Sequence, residues 1–144
     1  VLIGGGMNHR IGLFDMILLK DNHVDFAGGI TAALTRAKTY CEEKKKDLRI
    51  EIETRSEDEI REALATNIPD RIMPDNFSPE RTKVAVEIIR TWEKENGKHI
   101  EIESSGGITI DTLHDYAVTG VDFVSVGALT HSVKSLDMSF KALK

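Results

Sequence analysis

Residues 49–54 have the sequence RIEIET, and residues 99–104 have the similar sequence HIEIES. Strict alternation of apolar and charged residues predicts a β-strand with one apolar face and one charged face. Helices would then cover the isoleucine face alone, which favours a (β/α) barrel whose glutamates point inward. An open doubly wound sheet is the alternative, but its second helix layer would bury the glutamates. An amphipathic strand with one solvated face is a further interpretation.

The rest of the chain alternates between strand and helix patterns. Strands are expected at residues 16–19, 49–54, 71–74, 100–104 and 122–126. Helices are expected over residues 30–46, after Ser56, from Ser78 to Asn96 and from Thr109 to Gly120. Strands that alternate with helices of this length form parallel βαβ units. We therefore predict one α/β domain over residues 1–144, with a parallel barrel sheet.

Two of the helix starts carry specific signals. Ser56 with Glu59 forms a capping box, in which each side chain satisfies a free backbone N–H of the first turn. Ser78 is a preferred N-cap residue, and Pro79 suits the first helical position because its ring fixes a helical φ. These signals predict where the second and third helices begin.

The ends of the chain give weaker patterns. We expect the end of a buried strand at Leu2-Ile3, a short helix over 9–16, and a last strand or short helix over 136–143. The chain opens on Val1 without an initiator methionine, like the cut end of a strand. We therefore expect it to be a piece of a longer protein that lacks its first strands.

Composition excludes several classes of function. The chain is 40% hydrophobic and 30% charged, which indicates a folded domain. Its formal net charge of −5 argues against nucleic-acid binding, and no apolar run approaches the ~20 residues that span a bilayer. Cys41 is the single cysteine and falls on the apolar stripe of the predicted 30–46 helix. A reducing compartment and a cytoplasmic location are therefore expected.

Polar residues and glycines collect where the predicted strands end. In order, the strand ends offer Lys20, Glu53, Asp75, the triplet Ser105-Gly106-Gly107, and Gly127. Parallel α/β folds bind ligands at the carboxyl ends of their strands. The triplet before a helix suits a phosphate, and Gly127 at the next strand end resembles the second loop of a barrel phosphate site. The alternative for the triplet is a simple tight turn.

The two carboxylates and the nearby cations suggest the rest of the site. Glu53 and Asp75 suit Mg²⁺, which takes one or two carboxylates plus substrate phosphates, although both could simply cap helices. Arg10 and Lys20 suit a substrate carboxylate, unless they pair structurally with nearby aspartates. These residues support an enzyme that acts on a phosphate-bearing, anionic substrate with Mg²⁺.

Five motifs in order make the interpretation more specific. They are GGGMNHRIGLFDMILLKDNH (residues 4–23), IEIET, PDNF, ESSGGIT and VGALTHS. Together, from residue 1 to about residue 140, they closely resemble the quinolinate phosphoribosyltransferase family, the decarboxylating nicotinate-nucleotide pyrophosphorylases of NAD synthesis. The resemblance implies a type II phosphoribosyltransferase barrel. It also implies that quinolinate and 5-phosphoribosyl-1-pyrophosphate (PRPP) give nicotinate mononucleotide, pyrophosphate and CO₂, with Mg²⁺.

The resemblance also implies roles for individual residues. Lys20, Glu53 and Asp75 would be catalytic, and the two carboxylates would sit around the ribose and the metal-bound pyrophosphate, holding Mg²⁺ through water. Substrate-binding residues would be His9, Arg10 and Lys20 for the quinolinate carboxylates, and Ser105, Gly106, Gly107, Gly127 and His131 for the ribose 5-phosphate.

The sequence departs from the family pattern in two ways. Pro74 stands where the family more often has an aliphatic residue. The family's N-terminal domain and its basic Thr-Arg-Lys-Thr segment are missing. The family's dimer completes each site with an arginine of the partner, so we expect a homodimer or higher homo-oligomer at full length and an inactive chain alone. A sister enzyme acting on nicotinate or another ring acid, or a non-catalytic phosphate-binding barrel module, are the alternatives.

Overall fold

The computed structural model describes residues 1–143. A short 3₁₀ helix at Leu2–Gly4 precedes alternating strands and helices. The strands are β1 (Met16–Leu19), β2 (Arg49–Thr54), β3 (Arg71–Pro74), β4 (Glu101–Ser104) and β5 (Phe123–Val124). The helices are α1 (Asp21–Ala27), α2 (Ile30–Lys44), α3 (Glu57–Ala65), α4 (Pro79–Asn96), α5 (Leu113–Ala117) and α6 (Ala128–His131).

The five strands form one parallel sheet in the order β1-β2-β3-β4-β5. Each strand therefore lies beside its neighbours in the chain, and the order of strands never reverses. Right-handed crossovers in such a sheet return every helix on the same face. This is the winding of a barrel wall, as predicted, and an open doubly wound sheet would show a reversal.

The isoleucine face of the sheet and the helices form the core. Ile50 is 3% exposed, and Ile52, Ile72 and Ile102 are 0% exposed. The helices contribute Leu34, Ile60 and Ile89, each also 0% exposed, to the same cluster. Burial of apolar side chains of this size contributes about 1.5–3 kcal/mol each, so this face holds the sheet and helices together.

The opposite face of the sheet is charged, as the alternation predicts. The strand register pairs Glu51 of β2 with Arg71 of β3, and Arg71 with Glu101 of β4. Arg71 donates to Glu101 Oε2 at 2.9 and 2.7 Å and to Glu103 Oε2 at 2.6 Å. An inward-facing cation between inward-facing acids is what allows glutamates to be buried here.

Both predicted helix starts are confirmed. Ser56 Oγ accepts a hydrogen bond from the Glu59 N–H at 3.2 Å, and Ser78 Oγ accepts one from the Arg81 N–H at 3.3 Å. The Glu59 carboxylate accepts from the N–H of Arg55, one residue before the N-cap. The second half of the capping box is thus displaced by one residue.

The weaker predictions at the chain ends are wrong. Leu2 and Ile3 lie in the 3₁₀ helix and are exposed, and among residues 1–143 no strand pairs with the outer edge of β1. The expected helix over 9–16 is a series of bends, in which the Asp15 carboxylate accepts the N–H groups of Ile11 and Gly12. Residues 136–143 form neither helix nor strand.

Two details of the helix layer also differ from expectation. Helix α1 was not predicted, since Val24 is its one buried residue and its sequence shows no apolar stripe. Helix α2 ends at Lys44, and Cys41 is buried on its inner face as predicted. Across residues 1–143, none of the helices combines the length and the apolar character needed to cross a bilayer.

Replacing Ile102 with alanine tests the isoleucine core. Ile102 is 0% exposed, so truncation removes buried apolar surface and leaves a cavity. We expect the free energy of unfolding to fall by about 2–5 kcal/mol in urea denaturation followed by circular dichroism. Ile110→Ala is the control, because Ile110 is 62% exposed and its truncation should cost at most about 0.5 kcal/mol. Equal losses in the two variants would contradict this core.

Candidate functional site

The strand ends converge on one region at the carboxyl edge of the sheet. A cavity of about 320 Å³ is lined by residues from the ends of all five strands and from the loop before β1, among them His9, Lys20, Glu53, Asp75, Ser105 and Gly106. An adjoining cavity of about 400 Å³ is lined by Gly106, Gly107, Gly127 and His131. Gly106 and Ser125 line both cavities, so the two form one continuous region.

Lys20 and Glu53 form an ion pair across β1 and β2. Lys20 Nζ lies 2.9 Å from Glu53 Oε1, and the Asp21 N–H donates to Glu53 Oε2 at 3.3 Å. Glu53 is 9% exposed, whereas the Lys20 side chain is 53% exposed. The carboxylate is therefore held by the first turn of α1, and the ammonium keeps two N–H donors for other partners.

Asp75 is fixed by its neighbours at the ends of β3 and β4. Its Oδ1 atom accepts from Ser105 Oγ at 2.8 Å, and Oδ2 accepts from Asn76 Nδ2 at 2.7 Å. A parallel bridge joins Asp75 to Ser105, so the hydrogen bond follows from the strand register. The carboxylate is oriented toward the cavity before any ligand arrives.

The backbone at Gly106 has no room for a side chain. Gly106 has φ +95°, a left-handed conformation that glycine adopts at little cost. A Cβ atom there would lie 2.4 Å from Asn76 Oδ1 and 2.7 Å from the Asn76 backbone nitrogen. Gly107, at φ +63°, has open space around the same position. The close approach of the two loops therefore requires glycine at 106 specifically.

The helix expected directly after this glycine loop begins later. Thr109 and Thr112 hydrogen-bond to each other's backbone and hydroxyl groups, and α5 starts only at Leu113. The glycine loop is consequently followed by a turn rather than by a helix N-terminus. At the next strand end, Gly127 precedes the short helix α6, whose last residue is His131.

His9 reaches over the charged inner face of the sheet. Its Nε2 atom lies 2.7 Å from Glu51 Oε2 and 3.5 Å from Glu103 Oε2. The Glu51 carboxylate raises the pKa of the His9 imidazole, while partial burial and Arg71 oppose the shift. Burial in turn raises the pKa of Glu51. The pair therefore retains a proton to higher pH than a free histidine would.

Arg10 is the one predicted site residue that lies outside both cavities. Its guanidinium donates to the carbonyl of Met16 at 3.4 Å, at the start of β1. The structure thus brings His9, Lys20, Glu53, Asp75, Ser105, Gly106, Gly107, Gly127 and His131 together and leaves Arg10 at the edge.

Two residues of this region, Ser125 and Arg71, were missed by the sequence analysis. Ser125 lines both cavities and donates a hydrogen bond to Glu103, and Arg71 holds Glu103 from the other side. Arg71 has a signal in the sequence, because it is a cation on a strand between two strands whose inward positions are acidic. Ser125 has no such signal in the sequence, because only the strand register shows that it lies beside Ser105.

Two groups of side chains have the chemistry to hold a cation. The ligand atoms of His9, Glu51 and Glu103 lie within 4.8 Å of one another, but Arg71 and Ser125 already satisfy both oxygens of Glu103. Glu53 and Asp75 both line the cavity, and each of their carboxylate oxygens accepts one hydrogen bond and can accept a second. The second pair suits a hydrated divalent ion better.

Comparison with known proteins identifies the family of the chain. The family model described as quinolinate phosphoribosyl transferase, C-terminal domain, matches residues 1–141. A mitochondrial quinolinate phosphoribosyltransferase of Nicotiana tabacum is 44% identical, over 98% of this chain and 42% of its own length. A probable nicotinate-nucleotide pyrophosphorylase of Methanocaldococcus jannaschii is 45% identical, over all of this chain and 49% of its own.

Solved structures superpose on most of this chain. The nicotinate-nucleotide pyrophosphorylase of Francisella tularensis superposes with a TM-score of 0.81 at 44% identity, over 94% of this chain and 44% of that one. NadC of Streptococcus pyogenes superposes with a TM-score of 0.84 at 38% identity, over 98% of this chain and 46% of that one. The chain spans less than half the length of these relatives, and it belongs to the quinolinate phosphoribosyltransferase family, whose C-terminal domain it matches.

Proposed function

We propose that this chain is the catalytic barrel portion of a quinolinate phosphoribosyltransferase. The reaction joins quinolinate to the phosphoribosyl group of PRPP and releases pyrophosphate and CO₂, leaving nicotinate mononucleotide. The convergence of Lys20, Glu53 and Asp75 beside the cradle of Gly106 and Gly127 carries the proposal. This arrangement supplies a cation for an acid substrate, carboxylates for a developing positive charge, and room for a phosphate. All three lie at the carboxyl edge of the sheet.

The ribose 5-phosphate would bind in the cavity of about 400 Å³ that the three glycines line, here called the glycine cavity. Gly106, Gly107 and Gly127 line it without side chains, so a phosphate can approach the backbone closely. His131 lines the same cavity, and its Nδ1 atom lies 2.7 Å from Ser132 Oγ. The ring thereby contributes a polar edge next to the proposed phosphate position.

The carboxylates stabilise the transition state by position and charge. As pyrophosphate leaves, positive charge develops on the ribose C1 and its ring oxygen. Glu53 and Asp75 are held by hydrogen bonds beside that position, so they need little reorganisation as the charge appears. After the pyridine nitrogen has bonded to C1, the positive charge on the ring stabilises the electron pair that loss of CO₂ leaves on the adjacent ring carbon, and that carbon then takes up a proton from water to give nicotinate mononucleotide.

The same two carboxylates would hold Mg²⁺ through its water shell. Their oxygens each accept a single hydrogen bond, which fits outer-sphere contact better than direct ligation. The ion would supply positive charge to the pyrophosphate leaving group.

The family suggests the substrates and the partner subunit, and Cys41 suggests the location. Quinolinate and PRPP are the substrates, and a homodimer or higher homo-oligomer is the state in which a partner would add an arginine to the quinolinate side. The buried Cys41 fits a reducing compartment, for which the cytoplasm is our proposal, although the names of plant relatives place those proteins in mitochondria or chloroplasts.

Replacing Lys20 with methionine tests the quinolinate assignment. In a protein of the relatives' full length that carries this chain, we expect the Kd for quinolinate to rise about tenfold or more, since a charge-assisted contact is lost. The Kd for PRPP should change less than about twofold in titration calorimetry. Lys38→Met is the control, because Lys38 lies on α2, away from both cavities, and forms an exposed ion pair with Glu42 on the same helix. Equal losses for both ligands would speak against a carboxylate-binding role.

Replacing Asp75 with asparagine tests catalysis against mere binding. Asparagine keeps an oxygen for Ser105 but removes the charge, so we expect turnover to fall about 100-fold or more with nearly unchanged folding. The measurement is nicotinate mononucleotide formation at several Mg²⁺ concentrations. Asp70→Asn is no substitute control, because Asp70 accepts the N–H of Ile50. Asp111→Asn, in the exposed turn before α5, is the control. Full turnover in D75N would contradict a catalytic role for Asp75, whereas a wild-type protein that binds both substrates without turnover would support a non-catalytic binding module.

Replacing Gly106 with alanine tests the phosphate cradle. The new Cβ would collide with Asn76, so the two loops must separate. We expect KM for PRPP to rise about tenfold or more, because the phosphate position is lost. Gly107→Ala carries a similar left-handed strain of about 1–2 kcal/mol but meets no atom. A KM that rises equally in both variants would remove the support for close approach at 106.

A further inference from the structure

Glu51 is a buried carboxylate that the proposed reaction does not use. It lies in the middle of β2 and is 0% exposed. Neither of its carboxylate oxygens accepts a hydrogen bond of good geometry among residues 1–143, and Arg71 Nη1 is 4.0 Å from Oε1. Its Oε2 atom lies 2.7 Å from His9 Nε2. The closest cation of Glu51 is therefore a histidine from another part of the chain.

Stability does not account for a carboxylate at this position. A buried acid with incomplete hydrogen bonding costs several kcal/mol of desolvation, and an apolar or amide side chain of similar volume often folds at least as well. The other inward glutamates differ, because Arg71 donates hydrogen bonds to both Glu101 and Glu103. The contact with His9 is therefore the feature that explains why an acidic residue stands at position 51.

His9 also lines the cavity at the carboxyl edge of the sheet. His9 lines it together with Lys20, Glu53 and Asp75. Glu51 and Glu103 face its Nε2 atom, so Nδ1 is the ring nitrogen that these carboxylates leave to a ligand. A ring anchored through one nitrogen presents the other in a fixed direction, which is how paired carboxylates orient imidazoles elsewhere.

We propose that Glu51 is a positioning residue, which holds the His9 ring so that its Nδ1–H points at a carboxylate of the substrate in the cavity. The inference rests on the proposed function, since the acid substrate is the partner of that N–H. It adds to that function a buried group that never touches the substrate and yet sets how strongly the substrate is held.

The charges around His9 favour its protonated form. Glu51 of β2 and Glu103 of β4 raise the pKa of the imidazole, Arg71 of β3 lowers it, and the net shift is upward from 6.5. Lys20, Glu53 and Asp75 face the same cavity, with Lys20 paired to Glu53. Because the folded pKa is raised, the contribution of protonated His9 is complete below pH 6.5 and is lost as pH rises through the raised value.

Glu51→Gln in a protein of the relatives' full length tests the inference. We expect the His9 pKa, followed by NMR and assigned with His9→Gln, to fall relative to wild type. At pH 7 we expect KM for quinolinate to rise about tenfold, KM for PRPP to change less than about twofold, and unfolding stability to stay equal or increase. In the His9→Gln background, Glu51→Gln should have no further effect on KM.

Glu101→Gln is the matched control. Glu101 also faces inward but contacts Arg49 and Arg71 rather than His9, so its loss should leave the His9 pKa unchanged. An unaltered His9 pKa in Glu51→Gln, or a quinolinate KM that still rises in the His9→Gln background, would overturn the positioning role while leaving the reaction intact. A wild-type protein that forms no nicotinate mononucleotide would instead overturn the proposed function and this inference with it.

Discussion

The guanidinium of Arg71 is the group on which the charged face of the sheet depends. It is 7% exposed, donates to Glu101 and Glu103, and lies 4.3 Å from the centre of the Phe123 ring. Breaking a buried pair by removing one partner typically costs about 3–5 kcal/mol, because the remaining charge is left without compensation. With Arg71 in place, carboxylates can face inward, and the helices are free to cover the other face alone.

The strand register also sets which residues lie side by side at the carboxyl edge of the sheet, where the candidate site is. Parallel pairing places Glu53 beside Met73, Glu103 beside Phe123, and Asp75 beside Ser105. Ser125 connects the charged inner face of the sheet with the candidate site, because it donates to Glu103 and also lines both cavities. The residues proposed to touch substrate therefore rest on a layer in which Arg71 holds Glu101 and Glu103, which limits their movement and keeps the site preorganised.

The sequence predicts most of the scaffold, for identifiable reasons. Period-2 alternation revealed β2 and β4, and cap residues revealed α3 and α4, because these signals are local. The ends of the chain, at Leu2-Ile3 and 136–143, were predicted wrongly, since their structure depends on contacts rather than on local propensity. Helix α1 was missed for a related reason: its first turn is fixed by Glu53, thirty-two residues later in the chain.

The site was predictable to the extent that strand ends must converge. Lys20, Glu53 and Asp75 follow buried strands directly, and parallel pairing brings such positions together in any fold of this class. What pattern alone could not give is the pairing within the site. That Lys20 binds Glu53, that Ser105 binds Asp75, and that His9 reaches Glu51 are matters of register and of loop path.

The contacts that build the site are nearly all between adjacent strands. Lys20 to Glu53 joins β1 to β2, Ser105 to Asp75 joins β4 to β3, and Ser125 to Glu103 joins β5 to β4. Each is local in the sheet, so five consecutive strands suffice to assemble the carboxylates and the phosphate cradle. His9 is different, because its loop crosses the open face to reach Glu51. The proposed acid-binding side of the site therefore depends on a long-range charge contact, whereas the proposed phosphate side depends on strand pairing and on the loops after β4 and β5.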